Sequence, residues 1–364
     1  MNKLKVLELF GGIGACSKAL EKLGIDYEIV DYVEIDKYAV KSFNAMHNTN
    51  FEPQDIITWN KQIDVDLIMH GSPCQDFSLS GKQAGGDEGS GTRSSLMYET
   101  IRITKKLKPK YVIWENVKNL LSKKHKHNFD KYLEILKELG YKNYYQVLNS
   151  KDYGIPQNRE RVFTISIRND IEKNFVFPEK QELKLKLKDM LEDNVDGKYY
   201  IEDDLLQHII KTKQEHPEYT QYDRYNGEFE QLCRVWKNKT PALHTKSKDI
   251  KIYEYKKQLT ETIINVKDIK KTQMLDLYNR NVVTDGLCQT VDMGYHNSIR
   301  LLDKCRIRKL TPLESWRLMG FDDEDFNKAS KVNSNAQLYR QAGNSIVVNV
   351  LMAIFKELLE SKGE

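Results

Sequence analysis

An alternation of short apolar runs with amphipathic stretches along the first half of the chain constrains the fold most. The apolar runs have the length and composition of buried strands, and the stretches between them have helical spacing. Strands that alternate with helices form βαβ units with right-handed crossovers, which predicts the α/β class with a mostly parallel sheet. The predicted strands are 4–10, 27–36, 65–73, 111–117, 144–150 and 161–168, and the predicted helices are 15–23, 37–47, 96–107 and 129–139.

The pattern changes after Pro178. Residues 180–305 are polar, rich in Lys, Tyr, Asn and Gln, and lack the alternation of the first half. They therefore predict a second, smaller domain or a long insertion. The chain ends in a strongly apolar helix, whose wide apolar face needs a buried partner. We expect three parts: a first domain at 1–178, a second at 179–335, and a C-terminal helix at 336–364 that returns to the first.

Composition excludes several classes of protein. The chain has 57 Lys+Arg and 53 Asp+Glu, and a net charge of +4 does not by itself indicate a nucleic-acid partner. The five cysteines are scattered without a CxxC pair, so we expect neither a disulfide scaffold nor a metal site. No apolar run approaches the roughly 18 residues of a membrane span, and the N-terminus lacks a signal peptide. A cytoplasmic protein without membrane attachment is expected.

A glycine-rich turn, Phe10-Gly11-Gly12-Ile13-Gly14, lies between the first predicted strand and its helix. Ligands of such sheets bind at the carboxyl ends of strands, and Glu34 ends the second strand where a carboxylate can hold ribose hydroxyls. The alternative is a turn that is merely tight. Ala15 stands where the dinucleotide pattern continues towards its third glycine, which favours a cofactor without phosphates, such as S-adenosylmethionine.

Two candidate reactive groups follow the next strands. Cys74, in the segment Gly71–Ser78, lies where a thiolate nucleophile would be expected, although a lone cysteine is more often a buried apolar residue. Glu115 lies in Glu115-Asn116-Val117 at the end of the strand 111–117, and burial there would raise its pKa and suit it to donate a proton. A helix-capping carboxylate is the alternative for Glu115. Because neighbouring strand ends lie close together, we expect both side chains to face one pocket.

Arg159 and Arg161 stand two residues apart before the strand 161–168, so an extended backbone puts them on one face. Two arginines beside the other strand ends would hold a base carbonyl or phosphates. The alternative is a solvated charge pair with Glu160.

The ordered motifs FGGIG, PCQDFS, ENV, QNRER, RKLTPLESWRLMGF and QAGNSIVVNVL resemble those of the C5-cytosine DNA methyltransferases of restriction–modification systems. The resemblance covers 4–178 and 306–360, and the segment between them matches the family's target-recognition region by position alone. It implies a Rossmann-like S-adenosylmethionine-dependent methyltransferase fold with a smaller, irregular target-recognition domain.

The resemblance also implies roles for the reactive residues. Cys74 would attack C6 of a cytosine flipped out of the duplex, and Glu115 would contact N3 and the exocyclic amine. Arg161 would hold O2 and orient Glu115, and Arg159 would support the loop or a phosphate. S-adenosylmethionine would give its methyl group to C5. Ile35 stands where some members have tryptophan, so adenine packing would be weaker. The implied cofactor contacts are Phe10, Gly12, Ile13, Gly14, Glu34, Ile35, Asp55, Ile56, Pro73, Leu96 and Asn344.

Double-stranded DNA is the implied partner, and basic residues concentrate in two blocks, 101–177 and 231–320, that would line it. A monomer is expected, with a cognate restriction endonuclease in the same system but no stable complex between them. The predicted DNA contacts are Gln75, Ser78, Arg234, Lys237 and Thr290.

Three alternatives stay open at this stage. The first is a tRNA cytosine-5 methyltransferase on the same scaffold, whose signature usually has a second proline where this chain has Ser72. The second is a catalytically silent DNA-binding homologue, which would leave Cys74 and Glu115 without a purpose. The third is a nicotinamide dehydrogenase, which would use only the glycine turn.

Overall fold

The computed structural model describes residues 3–73, 89–200 and 306–359, together with the backbone of six short strands between 201 and 305. The chain divides into two compact units. The first is built mainly from Met1–Leu185 and Ser315–Glu364, and the second mainly from Lys186–Gln289 and Gly294–Glu314. The predicted limits at 178 and 335 differ from these boundaries, and the predicted division into domains stays a prediction.

The first unit contains a six-stranded sheet in the order β2-β1-β3-β4-β7-β5. The neighbouring strands β2, β1, β3 and β4 run parallel to one another, and β7 is antiparallel to both β4 and β5. This mixed sheet with its α/β alternation confirms the predicted fold class. The strands are β1 (Leu4–Leu9), β2 (Tyr27–Val33), β3 (Leu67–His70), β4 (Tyr111–Val117), β5 (Tyr141–Asn149), the short β6 (Gln157–Asn158) and β7 (Glu160–Arg168).

Two of the predicted strands extend three residues beyond the observed carboxyl ends. β2 ends at Val33 because Asp36 caps the next helix, where its Oδ1 accepts a hydrogen bond from the Tyr38 N–H at 2.9 Å. β3 ends at His70, so 71–73 leave the ladder before the glycine–serine–proline segment. The extension after β2 contains Glu34 and Ile35 of the predicted cofactor contacts, and the extension after β3 contains Pro73.

Helices connect the strands and cover the sheet. The amphipathic spacing predicted in the sequence places their apolar faces inward, and α8 packs against α1 while α6 packs against α2. The helices are α1 (Ala15–Lys22), α2 (Lys37–His47), α3 (Met97–Leu107), α4 (Lys126–Glu138), α5 (Pro312–Arg317), α6 (Asp323–Ser330), α7 (Asn335–Asn344) and α8 (Val348–Leu359).

The core of the first unit lies between β1, β3 and β4 and the helices α3 and α4. Leu7, Ile68, Val112 and Trp114 are almost fully buried in it. Among the described residues, the stretch Asn335–Leu359 is long and apolar enough to cross a membrane by length and composition, yet 61% of its most apolar window is buried within the protein. That burial is typical of a core helix.

In the second unit, four strands form an antiparallel sheet in the order β11-β10-β13-β14, and β8 pairs with β9. Arg308, the last residue of β14 in this sheet, forms a fully buried ion pair with Glu314, with Nη2 and Oε1 2.8 Å apart. The strands are β8 (Tyr219–Asp223), β9 (Arg234–Lys237), β10 (Met274–Asp276), β11 (Asn281–Val283), β12 (Cys288–Gln289), β13 (Ile299–Asp303) and β14 (Arg306–Arg308).

Candidate active site

The glycine turn after β1 adopts a left-handed backbone that glycine favours. Phe10, Gly12 and Gly14 have φ angles of 52°, 56° and 78°. A Cβ on Gly14 would lie 2.7 Å from the Phe43 ring, so a side chain there would collide with the core. A Cβ on Gly12 would meet nothing within 4 Å, so its backbone faces open space. The turn therefore leaves one glycine accessible to a ligand and packs the other closely.

The carboxylate of Glu34 joins this turn to the end of β2. Its Oε2 accepts a hydrogen bond from the Gly12 N–H at 3.1 Å, and its Oε1 accepts one from the Asp36 N–H at 2.8 Å. Burial raises the pKa of Glu34, and the backbone donors oppose that shift. Next to it, the Ile35 side chain is 68% exposed, which is unusual for an isoleucine. A carboxylate and an apolar surface thus stand side by side at one strand end.

The segment that carries Asp55 and Ile56 is tied to the same strand end. The Gln54 N–H donates to the Glu34 carbonyl at 2.9 Å, and its side chain donates to the Tyr32 carbonyl at 2.7 Å. Ile56 is buried in the main core, against which Phe10 and Leu96 also pack. The structure therefore brings Glu34, Asp55 and Ile56 to one edge of the sheet.

These residues fit S-adenosylmethionine by the chemistry of their groups. Gly12 offers open backbone, Glu34 offers a carboxylate for ribose hydroxyls, and exposed Ile35 offers an apolar face for adenine. Ile13 is buried beneath the turn. Residues of this edge would hold the nucleoside, and the described residues of the sheet show no conflict with such a ligand.

Glu115 lies near the carboxyl end of β4 and forms an ion pair with Arg161 of β7. Glu115 Oε1 lies 3.1 Å from Arg161 Nε, and the carboxyl side chain is only 11% exposed. Burial raises the pKa of Glu115, while the charges of Arg161 and then Arg159 lower it. A Cβ built on Gly71 would lie 3.7 Å from Glu115 Oε2, so the acid faces the segment that follows β3. A buried acid with a raised pKa keeps its proton to a higher pH than an exposed acid and is suited to donate it.

Arg159 occupies a different place from Arg161. It is buried, and its Nη2 donates to the carbonyls of Gly343 and Ser345 at 3.1 and 2.9 Å. Those residues flank Asn344, the exposed last residue of α7. Of the two roles predicted for Arg159, these contacts favour support of a loop over contact with a phosphate.

A small cavity opens beside the Glu115–Arg161 ion pair. It combines one acid and two arginines with a serine and apolar walls. Its lining residues are Glu115, Leu148, Ser150, Arg159, Arg161, Phe163, Ile346, Val347 and Val350.

A family model of C-5 cytosine-specific DNA methylases matches residues 4–360. The chain belongs to this family. It is therefore a DNA cytosine-5 methyltransferase, and the restriction–modification resemblance predicted from its motifs is confirmed.

Several relatives of this methyltransferase match along nearly their whole length. The type II methyltransferase M2.ScrFI of Lactococcus lactis subsp. cremoris is 34% identical, over 99% of this chain and 100% of that protein. The orphan methyltransferase M.SPRI of Bacillus phage SPR is 35% identical, over 99% and 98%. The type II methyltransferase M.HhaI of Haemophilus parahaemolyticus is 33% identical, over 96% and 93%.

Solved structures share the fold of this methyltransferase. The S. pombe Dnmt2 methyltransferase matches with a TM-score of 0.61 at 20% identity, covering 98% of each chain. A putative DNA modification methyltransferase encoded within an E. coli prophage matches with a TM-score of 0.62 at 20% identity, again over 98% of each chain. At these identities the likeness concerns the fold alone.

Several predicted site residues of the methyltransferase stay untested by geometry. Arg234 and Lys237 are the first and last residues of β9, and Pro73 is half-buried directly after Ser72. Cys74, Gln75, Ser78 and Thr290 lie outside the described residues.

The sequence interpretation missed two polar residues of this methyltransferase that hold the segment before Cys74. Asn116 Nδ2 donates to the Ser72 carbonyl at 3.2 Å, and Trp114 Nε1 donates to the Ser72 hydroxyl at 3.0 Å. The strand pattern of 111–117 could have indicated them in part, because side chains alternate along a strand and residues 114 and 116 therefore share the face opposite Glu115. Their contact with Ser72 follows from the pairing of β3 with β4, which the local pattern does not give.

Proposed function

We propose that this DNA cytosine-5 methyltransferase takes its methyl group from S-adenosylmethionine and acts on a cytosine flipped out of double-stranded DNA, through a covalent bond from Cys74 to C6. The observation that carries the proposal is the buried ion pair of Glu115 and Arg161 beside the Gly71–Pro73 segment. This ion pair supports the proposed roles of a proton donor and a fixed cation next to the three residues that precede the thiol. The glycine turn and Glu34 support a nucleoside cofactor at the same edge of the sheet.

The proposed reaction gives each reactive group one task. The Cys74 thiolate forms a bond to C6 of the cytosine, and the displaced electron pair moves through the ring while Glu115 protonates N3. Arg161 donates to the cytosine O2 and keeps the Glu115 carboxyl in position. S-adenosylmethionine, when bound, supplies an electrophilic methyl group to C5. A base then takes the C5 proton, the bond between sulfur and C6 breaks, and Cys74 leaves as the thiolate while Glu115 recovers the N3 proton.

The base must leave the duplex for this chemistry, because C6 is not reachable in stacked DNA. Unstacking costs a few kcal/mol, and contacts of Glu115 and Arg161 with the cytosine edge offset that cost only for the correct base. The proposed roles of Gln75, Ser78, Arg234, Lys237 and Thr290 are to contact the DNA around the flipped base.

Purified protein tests the proposal with tritiated S-adenosylmethionine and duplex DNA. We expect methyl transfer to DNA, its loss in Cys74→Ala, and a fall of about 10²- to 10⁴-fold in kcat for Glu115→Gln. Duplex DNA that contains 5-fluorocytosine should form a covalent adduct with the wild type and none with Cys74→Ala. Methylation of tRNA without methylation of DNA would instead support the tRNA enzyme, and DNA binding without an adduct would support a silent homologue.

We also propose that the protein acts as a cytoplasmic monomer, with or without a cognate restriction endonuclease. Among the relatives, some are named type II methyltransferases and others orphan methyltransferases, so both situations occur in the family. Bisulfite sequencing of DNA from an expressing strain identifies the target sequence, and size-exclusion chromatography with light scattering measures the mass in solution. A dimer mass would contradict the monomer.

A further inference from the structure

The chain leaves the sheet at His70, and the next residues reach the predicted nucleophile after only four positions. Past His70 the ladder between β3 and β4 no longer holds the backbone, since His70 pairs with Trp114 as the last pair. Side chains must therefore fix the course of Gly71, Ser72 and Pro73. Ser72 is 3% exposed, which is unusual for a serine in a connection and indicates a defined environment.

Two side chains of β4 hold Ser72 at two different atoms. Trp114 Nε1 donates to the Ser72 hydroxyl at 3.0 Å, and Asn116 Nδ2 donates to the Ser72 carbonyl at 3.2 Å. Residues 114 and 116 share one face of the strand, and Glu115 between them faces the other. The same three consecutive residues thus hold the incoming segment on one side and present the acid on the other.

Trp114 is itself held rigidly in the core. It is 2% exposed, stacks on His70 at 5.7 Å between ring centroids, and packs against Tyr132 at 4.2 Å. His70 Nε2 and the Tyr132 hydroxyl lie 2.9 Å apart, so a hydrogen bond links the two rings that contact the indole. An indole fixed by these two rings offers its N–H in one direction only, so the Ser72 hydroxyl is bound at a defined point.

We propose that Ser72 and Trp114 form a positioning pair that fixes the backbone entering Pro73–Cys74 relative to Glu115. The inference rests on the proposed covalent function, because it assigns the pair the task of keeping the nucleophile and the proton donor in register. Neither residue touches the substrate. Both act through the geometry of the strand ends, where a displacement of about 1 Å costs up to 10²-fold in rate.

The pair is distinguishable from ordinary core packing because its hydrogen bond can be removed with little change in shape. Trp114→Phe keeps an aromatic ring in the core and removes the indole N–H. Ser72→Ala removes the acceptor and leaves the backbone and its bond to Asn116 in place. Ser166→Ala is the matched control, since Ser166 is a buried serine on β7 whose hydroxyl has no hydrogen-bond partner within the described part of the chain.

The experiment measures methyl transfer to duplex DNA, adduct formation with 5-fluorocytosine DNA, and binding of both ligands. We expect kcat and the rate of adduct formation to fall about tenfold in each single variant, with the KM for S-adenosylmethionine and the Kd for DNA changed less than twofold. The double variant should be no slower than the slower single variant, because one shared bond is lost once. The Ser166→Ala control should match the wild type.

A pH profile tests whether the loss of kcat comes instead from a changed titration of Glu115. Serine, tryptophan and asparagine do not titrate near neutrality, and burial lowers the pKa of His70 to about 3. The loss in kcat should therefore be the same from pH 6 to pH 9, in contrast to variants of Glu115.

Each outcome separates this inference from the proposed function. Unchanged kcat in both single variants, or losses that multiply in the double variant, would overturn the pair. A raised KM for S-adenosylmethionine at unchanged kcat would also overturn it and assign Trp114 to the cofactor site. A wild type that forms no adduct and transfers no methyl group to DNA would instead refute the function itself. Thermal melts of every variant identify any loss of activity that comes from unfolding. If Trp114→Phe is unfolded, Ser72→Ala tests the pair with the smaller change in the core.

Discussion

Glu115 Oε1 lies 3.1 Å from Arg161 Nε, although Arg161 pairs across the ladder with Val117 and not with Glu115. The contact is thus diagonal across the antiparallel pair of β4 and β7. Diagonal neighbours lie within reach of long side chains, and the arginine stem crosses that gap. The antiparallel direction of β7 therefore brings the start of one strand to the end of the other, and with it the cation to the acid.

Removal of this cation should raise the pH at which activity is lost. Burial raises the pKa of Glu115 and Arg161 lowers it, so Arg161→Ala should raise that pKa further. If protonated Glu115 is the active form, the alkaline limb of the kcat profile moves upward in pH while kcat itself falls about 10²- to 10³-fold. Steady-state methyl transfer from pH 6 to pH 10 measures both effects.

Arg168→Ala is the control for that experiment. Arg168 ends the same strand and pairs with Asp170, with Arg168 Nε 2.6 Å from Oδ1. This variant should keep the wild-type profile. An alkaline limb that stays in place in Arg161→Ala would show that Arg161 does not tune Glu115.

A second buried acid, Glu8 on β1, should make stability depend on pH. Burial raises its pKa to about 7 against hydrogen bonds from the N–H and hydroxyl of Ser17. The pKa of Glu8 in the folded protein lies above the unfolded value of 4.5. Protonated Glu8 therefore contributes fully to the free energy of unfolding below pH 4.5, and this contribution is lost as pH rises through 7. The loss is roughly 3 kcal/mol. Urea unfolding at pH 5 and pH 8 should show the wild type losing more stability than Glu8→Gln.

Glu28→Gln is the control for Glu8, because Glu28 is an exposed carboxylate on the neighbouring strand β2. It should follow the wild type at both pH values. Equal stability changes in Glu8→Gln and the wild type would mean that Glu8 stays ionised in the folded protein.

Much of the site follows from local patterns, and the rest depends on contacts between distant segments. The apolar strand runs predict where Glu34 and Glu115 fall, because carboxyl ends of parallel strands meet at one edge. The antiparallel direction of β7 follows from a helix-free connection after β5, since a parallel crossover needs about a dozen residues or more. By contrast, the bonds from Arg159 to Gly343 and Ser345 join residues about half the chain apart, and no local spacing encodes them.

Two glycines of the first turn should respond differently to a methyl group. Gly12 has a φ of 56° and open space around its notional Cβ. A methyl group there would occupy the space proposed for the cofactor, so Gly12→Ala should weaken S-adenosylmethionine binding. Backbone strain should lower the stability of the fold by only about 1–2 kcal/mol. Gly14→Ala would place its Cβ 2.7 Å from the Phe43 ring and 2.8 Å from His47 Nε2, so it should destabilise the fold more strongly. Calorimetric titration and thermal melts measure the two effects separately. Normal cofactor affinity in Gly12→Ala would place the nucleoside elsewhere.

Removal of one partner of the buried pair of Arg308 and Glu314 should destabilise the fold strongly, whereas replacement of both partners by apolar residues should destabilise it less. Glu314 accepts two bonds from Arg308 at 2.8 Å each, one from the Thr311 N–H at 2.7 Å, and one from the Glu192 N–H at 3.0 Å. Glu314→Ala removes the carboxylate that neutralises the buried Arg308 guanidinium, at a cost of about 3–5 kcal/mol.

The test is urea unfolding followed by circular dichroism. The Arg308→Met, Glu314→Leu double variant should recover part of the loss, because it removes both buried charges together. The exposed pair of Lys126 and Asp130 on α4 is the contrast, and Asp130→Asn should leave the unfolding midpoint in place. If Glu314→Ala unfolds at the wild-type urea concentration, the pair does not stabilise the second unit, and its role is confined to the local course of 308–314.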